Sequence, residues 1–277
     1  MSPVAPWEST AHIMNRITTQ LAGRPGLVGL DGRRRPGPPA LVVVAHGSRD
    51  PRALSTVQAL LDRVRELRPH LPVHLGHIEL NAPLLPDTLA GLGTGEAILV
   101  PLLLSRGYHV KRDIPEMAAA SRVRARVAAP LGPHPLLVEA LHARLVEAGW
   151  DGTERRSGGV VLAAAGSRDP ESRIDTGRTA RLLADRLGVP VVPAYASAAA
   201  PTVPEAVRAL TARGRHRVAV AAYFTAPGRF ATESAEATPW IASSPLGTHP
   251  AMADLILHRY DEALARPAGR IPTLASA

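Results

Sequence analysis

Two histidines and one glutamate stand near the ends of three successive apolar runs in the first half of the sequence. His46 follows the first run, Glu79 lies at the end of the second, and His109 comes shortly after the third. Neutral imidazole is a common ligand of late divalent metals, and it also accepts protons near neutral pH. Two imidazoles with one carboxylate can hold Fe²⁺ or Co²⁺ with open coordination positions, or act as general bases. These residue types therefore indicate metal or proton-transfer chemistry.

Basic side chains accompany this group. They are Arg49, Arg106, Lys111 and Arg112. Such a basic rim suits a substrate that carries many carboxylates, because guanidinium and ammonium groups donate charge-assisted hydrogen bonds to them. The alternative is an ordinary solvated cluster of surface charges, which would contribute little.

The elements that must position these residues alternate between strand and helix. Strands are predicted over 41–45, 73–80 and 97–104 and near Val127, and helices over about 54–67, from near 83, from about 111, and over 135–148. This alternation is typical of a parallel α/β sheet with right-handed crossovers. Since such sheets bind ligands at the carboxyl ends of their strands, the sequence predicts one site at that edge.

The pattern then occurs a second time. Ala-His-Gly-Ser-Arg-Asp-Pro (45–51) is repeated as Ala-Ala-Gly-Ser-Arg-Asp-Pro (164–170), and Pro-Leu-Gly-Pro-His-Pro (130–135) as Pro-Leu-Gly-Thr-His-Pro (245–250). A period of about 120 residues is too long for a solenoid and indicates two copies of one domain. The predicted fold is therefore α/β with two similar domains, each a mainly parallel four-stranded sheet flanked by helices, with a cleft between them. The predicted boundaries are a disordered tail (1–40), the site-bearing domain (41–149), a linker (150–158), the second domain (159–265) and a C-terminal tail (266–277).

The second copy serves as an internal control that separates scaffold from chemistry. Asp50 and Asp169 occur in both copies before a proline and are predicted to cap the following helix. His134 and His249 also occur in both copies, and a structural role is predicted for them. The three candidate site residues differ: the counterparts of His46, Glu79 and His109 are Ala165, Ser197 or a neighbour, and Phe230. Three polar groups that are replaced together at equivalent strand ends favour a function in the first copy only.

The composition excludes several classes of protein. The chain has no cysteine, so disulfide scaffolds, thiolate metal sites and cysteine nucleophiles are excluded. No Walker loop or Gly-x-Gly-x-x-Gly follows a strand, so a nucleotide cofactor is unsupported. No uncharged apolar stretch reaches about 18 residues and no signal-peptide pattern is found, which predicts a cytoplasmic chain without a membrane span. The net charge of +8 leaves binding to anions or nucleic acid as an alternative, although only 3% of the residues are aromatic.

Two motifs together resemble one known family. His-Gly-Ser-Arg-Asp-Pro (46–51) and Pro-Leu-Leu-Leu-Ser-Arg-Gly-Tyr-His-Val-Lys-Arg-Asp-Ile-Pro (101–115) are similar to the sirohydrochlorin chelatases, in their long two-copy bacterial form. The resemblance implies a lyase that inserts a divalent metal into sirohydrochlorin, a tetrapyrrole with eight carboxylates, and releases two protons. Fe²⁺, which gives sirohaem, is the favoured metal, and Co²⁺ on the route to cobalamin is the alternative. No organic cofactor is implied, because the divalent metal is a substrate.

The resemblance also implies roles for individual residues. His46 and His109 would bind the metal and accept protons, with Glu79 as a third catalytic group. The predicted substrate-binding residues are Ser48, Arg49, Ser105, Arg106, Gly107, Tyr108, Lys111 and Arg112. Activity is expected to fall at acid pH as the imidazoles become protonated.

The expected partners are sirohydrochlorin and the metal alone. Neither nucleic acid nor a membrane is expected to bind, and the protein is predicted to be a monomer, because the two copies supply both halves of the cleft. A non-catalytic carrier of metal or tetrapyrrole, which would use the same two histidines, stays open as a second hypothesis.

Overall fold

The computed structural model describes residues 37–153, 156–238 and 240–266. The predicted tails over 1–40 and 266–277 fall outside these ranges, apart from residues 37–40 and Arg266. Within the described part, the chain from Pro39 onward forms one compact unit. Ala40 already belongs to the first strand, so the folded part begins one residue before the predicted boundary.

The first half contains a four-stranded parallel sheet. Its strands are β1 (Ala40–Ala45), β2 (Val73–His77), β3 (Glu96–Pro101) and β4 (Arg124–Val127), in the order β2-β1-β3-β4. Its helices are α1 (Pro51–Leu67), α2 (Leu85–Gly91), α3 (Ile114–Ala119) and α4 (Pro135–Glu147), and a π-helical turn (His109–Asp113) leads into α3. The predicted alternation of strand and helix is confirmed.

The second half repeats this arrangement with one strand fewer. Its strands are β5 (Gly158–Ala164), β6 (Val191–Tyr195) and β7 (Arg217–Tyr223), in the order β6-β5-β7, and its helices are α5 (Pro170–Leu187), α6 (Val203–Ala212), α7 (Arg229–Glu236) and α8 (Pro250–Ala265). The α/β class with two parallel sheets is confirmed. The prediction of a fourth strand in the second sheet was wrong for the described residues. There Ala242 makes a single bridge to Val220, and the hydroxyl of Ser243 accepts the N–H of Ala222. A side chain therefore takes the place of the backbone carbonyl that would continue the ladder.

Two of the strands are shorter than predicted. The expected ends were Leu80 and Leu104, whereas β2 ends at His77 and β3 at Pro101. Both strands pair with β1, which itself ends at Ala45, so little backbone is left for them to pair with further along. The apolar residues beyond these ends form the loops of the candidate site.

The helix caps follow the residues that both copies share. The side chain of Asp50 accepts the N–H of Arg52, and the side chain of Asp169 accepts that of Glu171. His134 and His249 cap α4 and α8 through Nδ1, which accepts a backbone N–H two residues later. The structural roles predicted from the repeat are confirmed.

The two halves share one continuous apolar core. It includes Leu41, Val100 and Leu141 from the first half and Leu162, Ala221 and Leu255 from the second. Helix α4 packs against both α5 and α8, so that helices of the two halves interleave between the sheets. Smaller clusters cover the outer faces of each sheet. The halves are therefore expected to unfold together.

Trp150 belongs to this core although it was predicted to start a linker. Its side chain is 4% exposed and its ring lies 5.7 Å from that of Trp240. Replacement of Trp150 by alanine is expected to lower the free energy of unfolding by about 3–5 kcal/mol, because it leaves a large cavity. Urea unfolding measures this, with Val146→Ala as a control at a position that is 49% exposed. A loss below about 1 kcal/mol would show that the residue behaves as an exposed connector.

Candidate active site

The carboxyl ends of the strands in both halves face one cavity. The loops that follow β1, β2 and β3 line it on one side, and the loops that follow β5, β6 and β7 line it on the other. Its volume of 1360 Å³ exceeds the roughly 300–1,000 Å³ that is typical of pockets for drug-sized ligands. The predicted cleft therefore exists and has room for a large substrate.

Gly47 brings the first two site residues together. It has a φ of +104°, and a Cβ on it would lie 2.0 Å from the carbonyl oxygen of Glu79. Only glycine allows the loop after β1 to approach the loop after β2 this closely. As a result, Nδ1 of His46 lies 3.6 Å from Oε1 of Glu79, and both side chains are about half exposed.

His109 is held by a carboxylate from its own helical turn. Its Nδ1 lies 2.5 Å from Oδ2 of Asp113, four residues later in the π-helical turn, and the N–H of Ile114 closes this turn on the carbonyl of His109. An ionised carboxylate can only accept a hydrogen bond, so Nδ1 carries the proton and Nε2 keeps its lone pair. Such a contact fixes the tautomer and the orientation of an imidazole.

The two imidazoles lie side by side. Their ring centroids are 4.7 Å apart at an interplanar angle of 85°. Nδ1 of His46 faces two acceptors, the carbonyl of Gly47 at 3.4 Å and Glu79, which leaves Nε2 of His46 as the nitrogen with a free lone pair. In the described part of the chain, no three His, Asp or Glu side chains form a preassembled metal site. The arrangement thus offers two nitrogen donors, each next to a carboxylate.

The predicted substrate-binding residues separate into two groups. Ser48, Arg49, Ser105, Gly107 and Tyr108 line the cavity, whereas Arg106, Lys111 and Arg112 do not. Arg49 and Arg112 are exposed, and neither has a carboxylate at ion-pair distance among the described residues. Arg49 is therefore available to an anionic ligand at the cavity wall.

The other two cations are neutralised by the second half. Arg106 pairs with Asp175 at 2.7 Å and with Glu171 at 2.8 Å. Lys111 pairs with Asp169 at 2.7 Å and also with Glu171. The basic rim expected from the sequence is thus partly a set of contacts between the two halves.

The second half presents uncharged residues at the equivalent positions. The N–H of Ser197 donates to the carbonyl of Ala165, as that of Glu79 donates to His46, so Ser197 is the structural counterpart of Glu79. Phe230 occupies the start of α7, where the first half has His109. All three of these second-half residues line the cavity. This wall contributes neither an imidazole nor a carboxylate from the three equivalent positions.

The sequence reasoning missed two polar residues of the site. Asp113 orients His109, and the His-x-x-x-Asp spacing at the start of a predicted helix is the signal that could have revealed it. Asn81 lines the cavity, and its Oδ1 accepts the N–H of Ser48 at 2.7 Å. No pattern in the sequence marks Asn81, because its partner lies in a different loop.

The contacts between the halves give the protein a pH-dependent stability. Burial raises the pKa of Asp169, but hydrogen bonds from Lys111 and from the Glu171 N–H outweigh it, so this pKa lies below the ordinary value of 3.8. The stabilisation is then present above the ordinary value and is lost as the pH falls through the lowered pKa. Asp169→Asn keeps the helix cap but removes the charge.

The Asp169→Asn variant is expected to be about 1 kcal/mol less stable than the wild type at pH 7. This difference should be fully present at pH 7 and pH 5 and smaller at pH 3, which lies below the ordinary pKa of 3.8. Urea unfolding at pH 7, 5 and 3 measures it. A difference that stays constant over this range would show that the charge on Asp169 contributes nothing.

A family model decides the relationship of this chain to known proteins. The model named CbiX matches residues 40–148 and then matches again over 159–263. The chain belongs to the CbiX family. The two matches coincide with the two halves of this CbiX protein, and they confirm the tandem repeat and the resemblance found in the sequence.

Relatives of this CbiX protein include enzymes named as ferrochelatases and others named as cobaltochelatases. The sirohydrochlorin ferrochelatase of Bacillus subtilis is 28% identical over 251 residues, which cover 83% of this chain and 94% of that enzyme. The sirohydrochlorin cobaltochelatase of Methanococcus aeolicus is 36% identical over 81 residues, which cover 28% of this chain and 57% of that enzyme. The solved structure of SirB from Bacillus subtilis with Fe³⁺ has a TM-score of 0.67 and 26% identity, and the match covers 82% of this chain and 95% of that one.

Proposed function

We propose that this protein is a sirohydrochlorin chelatase, a lyase that inserts a divalent metal, with Fe²⁺ favoured, into the macrocycle and releases two protons. The observation that carries the proposal is the pair of imidazoles, 4.7 Å apart, on the wall of a 1360 Å³ cavity between the two halves. The CbiX family membership and a ferrochelatase relative matched over 94% of its length support the reaction type. Both the metal and the macrocycle are substrates.

The two imidazoles hold the incoming metal through Nε2. His46 and His109 provide two neutral nitrogen donors, and the hydrogen bonds at Nδ1 keep these lone pairs available. Two protein donors leave most coordination positions of Fe²⁺ or Co²⁺ open. The ring nitrogens of the macrocycle can therefore replace the imidazoles one after the other.

Each imidazole then becomes a proton acceptor. Two N–H protons must leave the ring as the divalent metal enters, so the charge of the macrocycle does not change. When the metal moves to the ring, Nε2 of each histidine regains its lone pair and can take one proton. Glu79 beside His46 and Asp113 beside His109 stabilise the imidazolium that forms.

The walls of the cavity position the macrocycle. Arg49 has no competing carboxylate among the described residues and is proposed to meet a substrate carboxylate, with Ser48 and Tyr108 nearby on the same wall. Phe230 on the opposite wall offers an apolar surface to the face of the ring. Direct contacts of Arg106, Lys111 and Arg112 with the substrate stay predictions.

The choice of metal rests on the relatives. The relatives matched over most of this chain include two ferrochelatases, which favours Fe²⁺. A cobaltochelatase is matched over one part of this chain, so Co²⁺ insertion is the second candidate. Two imidazoles and nearby carboxylates accept both ions.

Further predictions concern the location, the oligomeric state and the domain boundaries of the protein. Among the described helices, none is both long and apolar enough to cross a bilayer. The cytoplasmic location, the monomeric state and the domain boundaries stay predictions.

The proposal is tested with purified protein under anaerobic conditions. Sirohydrochlorin is mixed with Fe²⁺ or Co²⁺ and the absorbance of the macrocycle is followed between pH 8 and pH 5. Insertion faster than the uncatalysed rate is expected, together with a decline toward pH 5, because a protonated imidazole cannot bind metal. Binding of Co²⁺ without faster insertion would replace the chelatase with the carrier hypothesis.

A further inference from the structure

A carboxylate of the second half holds the loop that carries His109. We define the site loop as residues 102–108, between β3 and the π-helical turn. Asp175 of α5 is 1% exposed, and its carboxylate accepts three hydrogen bonds from Arg106. These come from the backbone N–H at 3.0 Å, from Nε at 2.9 Å and from the terminal amino group at 2.7 Å. Asp175 therefore fixes both the backbone and the side chain of one loop residue.

Two more second-half side chains bind the neighbouring loop residues. The hydroxyl of Tyr223 donates to the carbonyl of Leu104 at 2.9 Å. The hydroxyl of Ser105 lies 2.9 Å from that of Ser172. Three consecutive residues of the site loop are thus each held by a side chain of the second half.

The internal repeat shows that the second half anchors a loop of the first half, whereas the first half does not anchor the corresponding loop of the second half in this way. The positions in α1 that correspond to Glu171, Ser172 and Asp175 hold Arg52, Ala53 and Thr56. In the second half, the loop positions that correspond to Ser105 and Arg106 hold Ala226 and Pro227. Helix α1 therefore has no carboxylate at the position of Asp175, and the second-half loop has no arginine at the position of Arg106.

The asymmetry does not result from a different approach of the two halves. A Cβ on Gly107 would lie 3.6 Å from the hydroxyl oxygen of Ser167, and a Cβ on Gly228 would lie 3.8 Å from that of Ser48. These contacts correspond to each other in the repeat and have almost the same length. The packing of the halves is therefore similar on both sides, and the anchor is an addition on the side of the histidines.

Arg106, the loop residue that Asp175 holds, stands three residues before His109, and Gly107 lies between the two. The carbonyl of Gly107 accepts the N–H of Lys111 at 3.0 Å, which ties the end of the site loop to the π-helical turn that carries His109. Burial raises the pKa of Asp175, but the hydrogen bonds from Arg106 outweigh it and lower this pKa, so the carboxylate stays ionised and paired at neutral pH. A buried Arg–carboxylate pair with several hydrogen bonds has a strongly preferred geometry.

We propose that Asp175 is a positioning residue, which acts through Arg106 to set the place of His109 relative to His46. This inference rests on the proposed function and extends it, because it gives the second half a part in the metal site. The second half then contributes an anchor as well as a cavity wall. Loss of the anchor is expected to weaken metal binding before the macrocycle enters.

The experiment compares Asp175→Asn with a matched variant, Asp261→Asn. Asp261 forms a similar two-pronged ion pair with Arg68, at 2.9 and 2.5 Å, and this pair also joins the two halves but does not line the cavity. Co²⁺ affinity is measured by calorimetry without tetrapyrrole. The ¹⁵N signals of the His109 imidazole are recorded in protein with labelled histidine, and His109→Gln identifies them.

Asp175→Asn is expected to weaken Co²⁺ binding by about tenfold and to shift the His109 signals. Asp261→Asn should keep Co²⁺ affinity within about twofold and leave these signals in place. Wild-type affinity and unchanged signals in Asp175→Asn would overturn the proposal, and so would an equal loss in both variants. If Asp175→Asn does not fold, Arg106→Gln, which removes both side-chain hydrogen bonds to Asp175 at a partly exposed position, decides the question: unchanged affinity and signals overturn the proposal.

Turnover separates this inference from the function on which it rests. With sirohydrochlorin, Asp175→Asn should raise KM for the metal and leave KM for the macrocycle unchanged. If the wild type does not insert metal, the chelatase proposal fails, while Co²⁺ affinity and the imidazole signals still test the anchor.

Discussion

Replacement of His46 by alanine is expected to lower kcat for metal insertion by about 100- to 10,000-fold. The variant loses one of two nitrogen donors to the incoming metal and one of two acceptors for the protons that leave the ring. It also leaves Glu79 without the imidazole that lies 3.6 Å away. Anaerobic insertion of Fe²⁺ and Co²⁺, followed by absorbance, measures the loss. The same change at His109 should have an effect of similar size, and the two effects should not add, because the residues act as a unit.

The repeat supplies the control for this prediction. His249→Ala removes an imidazole whose Nδ1 caps α8 by accepting the N–H of Ala251. This variant is expected to lose about 1 kcal/mol of stability and to keep its rate of insertion. A folded His46→Ala protein with the wild-type rate would refute the proposed metal and proton transfer through this histidine.

Gly47→Ala is expected to lower both stability and activity severely. The new Cβ would lie 2.0 Å from the carbonyl oxygen of Glu79, at a backbone φ of +104° that only glycine adopts readily. Relief of this clash must push the loop after β1 away from the loop after β2, which separates His46 from Glu79. We expect the free energy of unfolding to fall by at least about 2 kcal/mol and kcat to fall by more than about tenfold.

Gly166→Ala is the matched variant in the second half. Its φ is +92°, and a Cβ there would lie 1.9 Å from the carbonyl oxygen of Ser197, so the strain is nearly the same. This variant should lose similar stability in urea unfolding but keep most of its kcat, because Ala165 beside it carries no reactive group. Equal losses of kcat in the two folded variants would contradict a site that is confined to the first half.

The two copies of the fold have different roles. The first retains the imidazoles and carboxylates of the site, and the second supplies a cavity wall with Phe230 in place of an imidazole, together with the acidic residues of α5. Because the halves share one apolar core, the second copy cannot be removed without exposing part of the core of the first. Loss of the site residues in one copy is therefore compatible with its retention as a structural partner.

Local patterns and the repeat were enough to predict most of the fold. Apolar runs that alternate with helical spacing determine the parallel sheets, since such strands must be covered on both faces. Comparison of the two copies singled out His46, Glu79 and His109, because one copy has Ala165, Ser197 and Phe230 there. The caps from Asp50 and His134 could be read from their positions before prolines.

Contacts between distant segments were decided only by the tertiary structure. Arg106 and Lys111 look like free cations in the sequence, but α5, more than fifty residues later, brings Glu171 and Asp175 against them. Trp150 looks like part of a linker, yet it is buried beside Trp240. Sequence alone thus determined which residue types could carry out the chemistry, because this depends on local spacing and on the repeat. Which charges remain free for a substrate depends on how two halves pack across a shared core, and no local pattern encodes that packing.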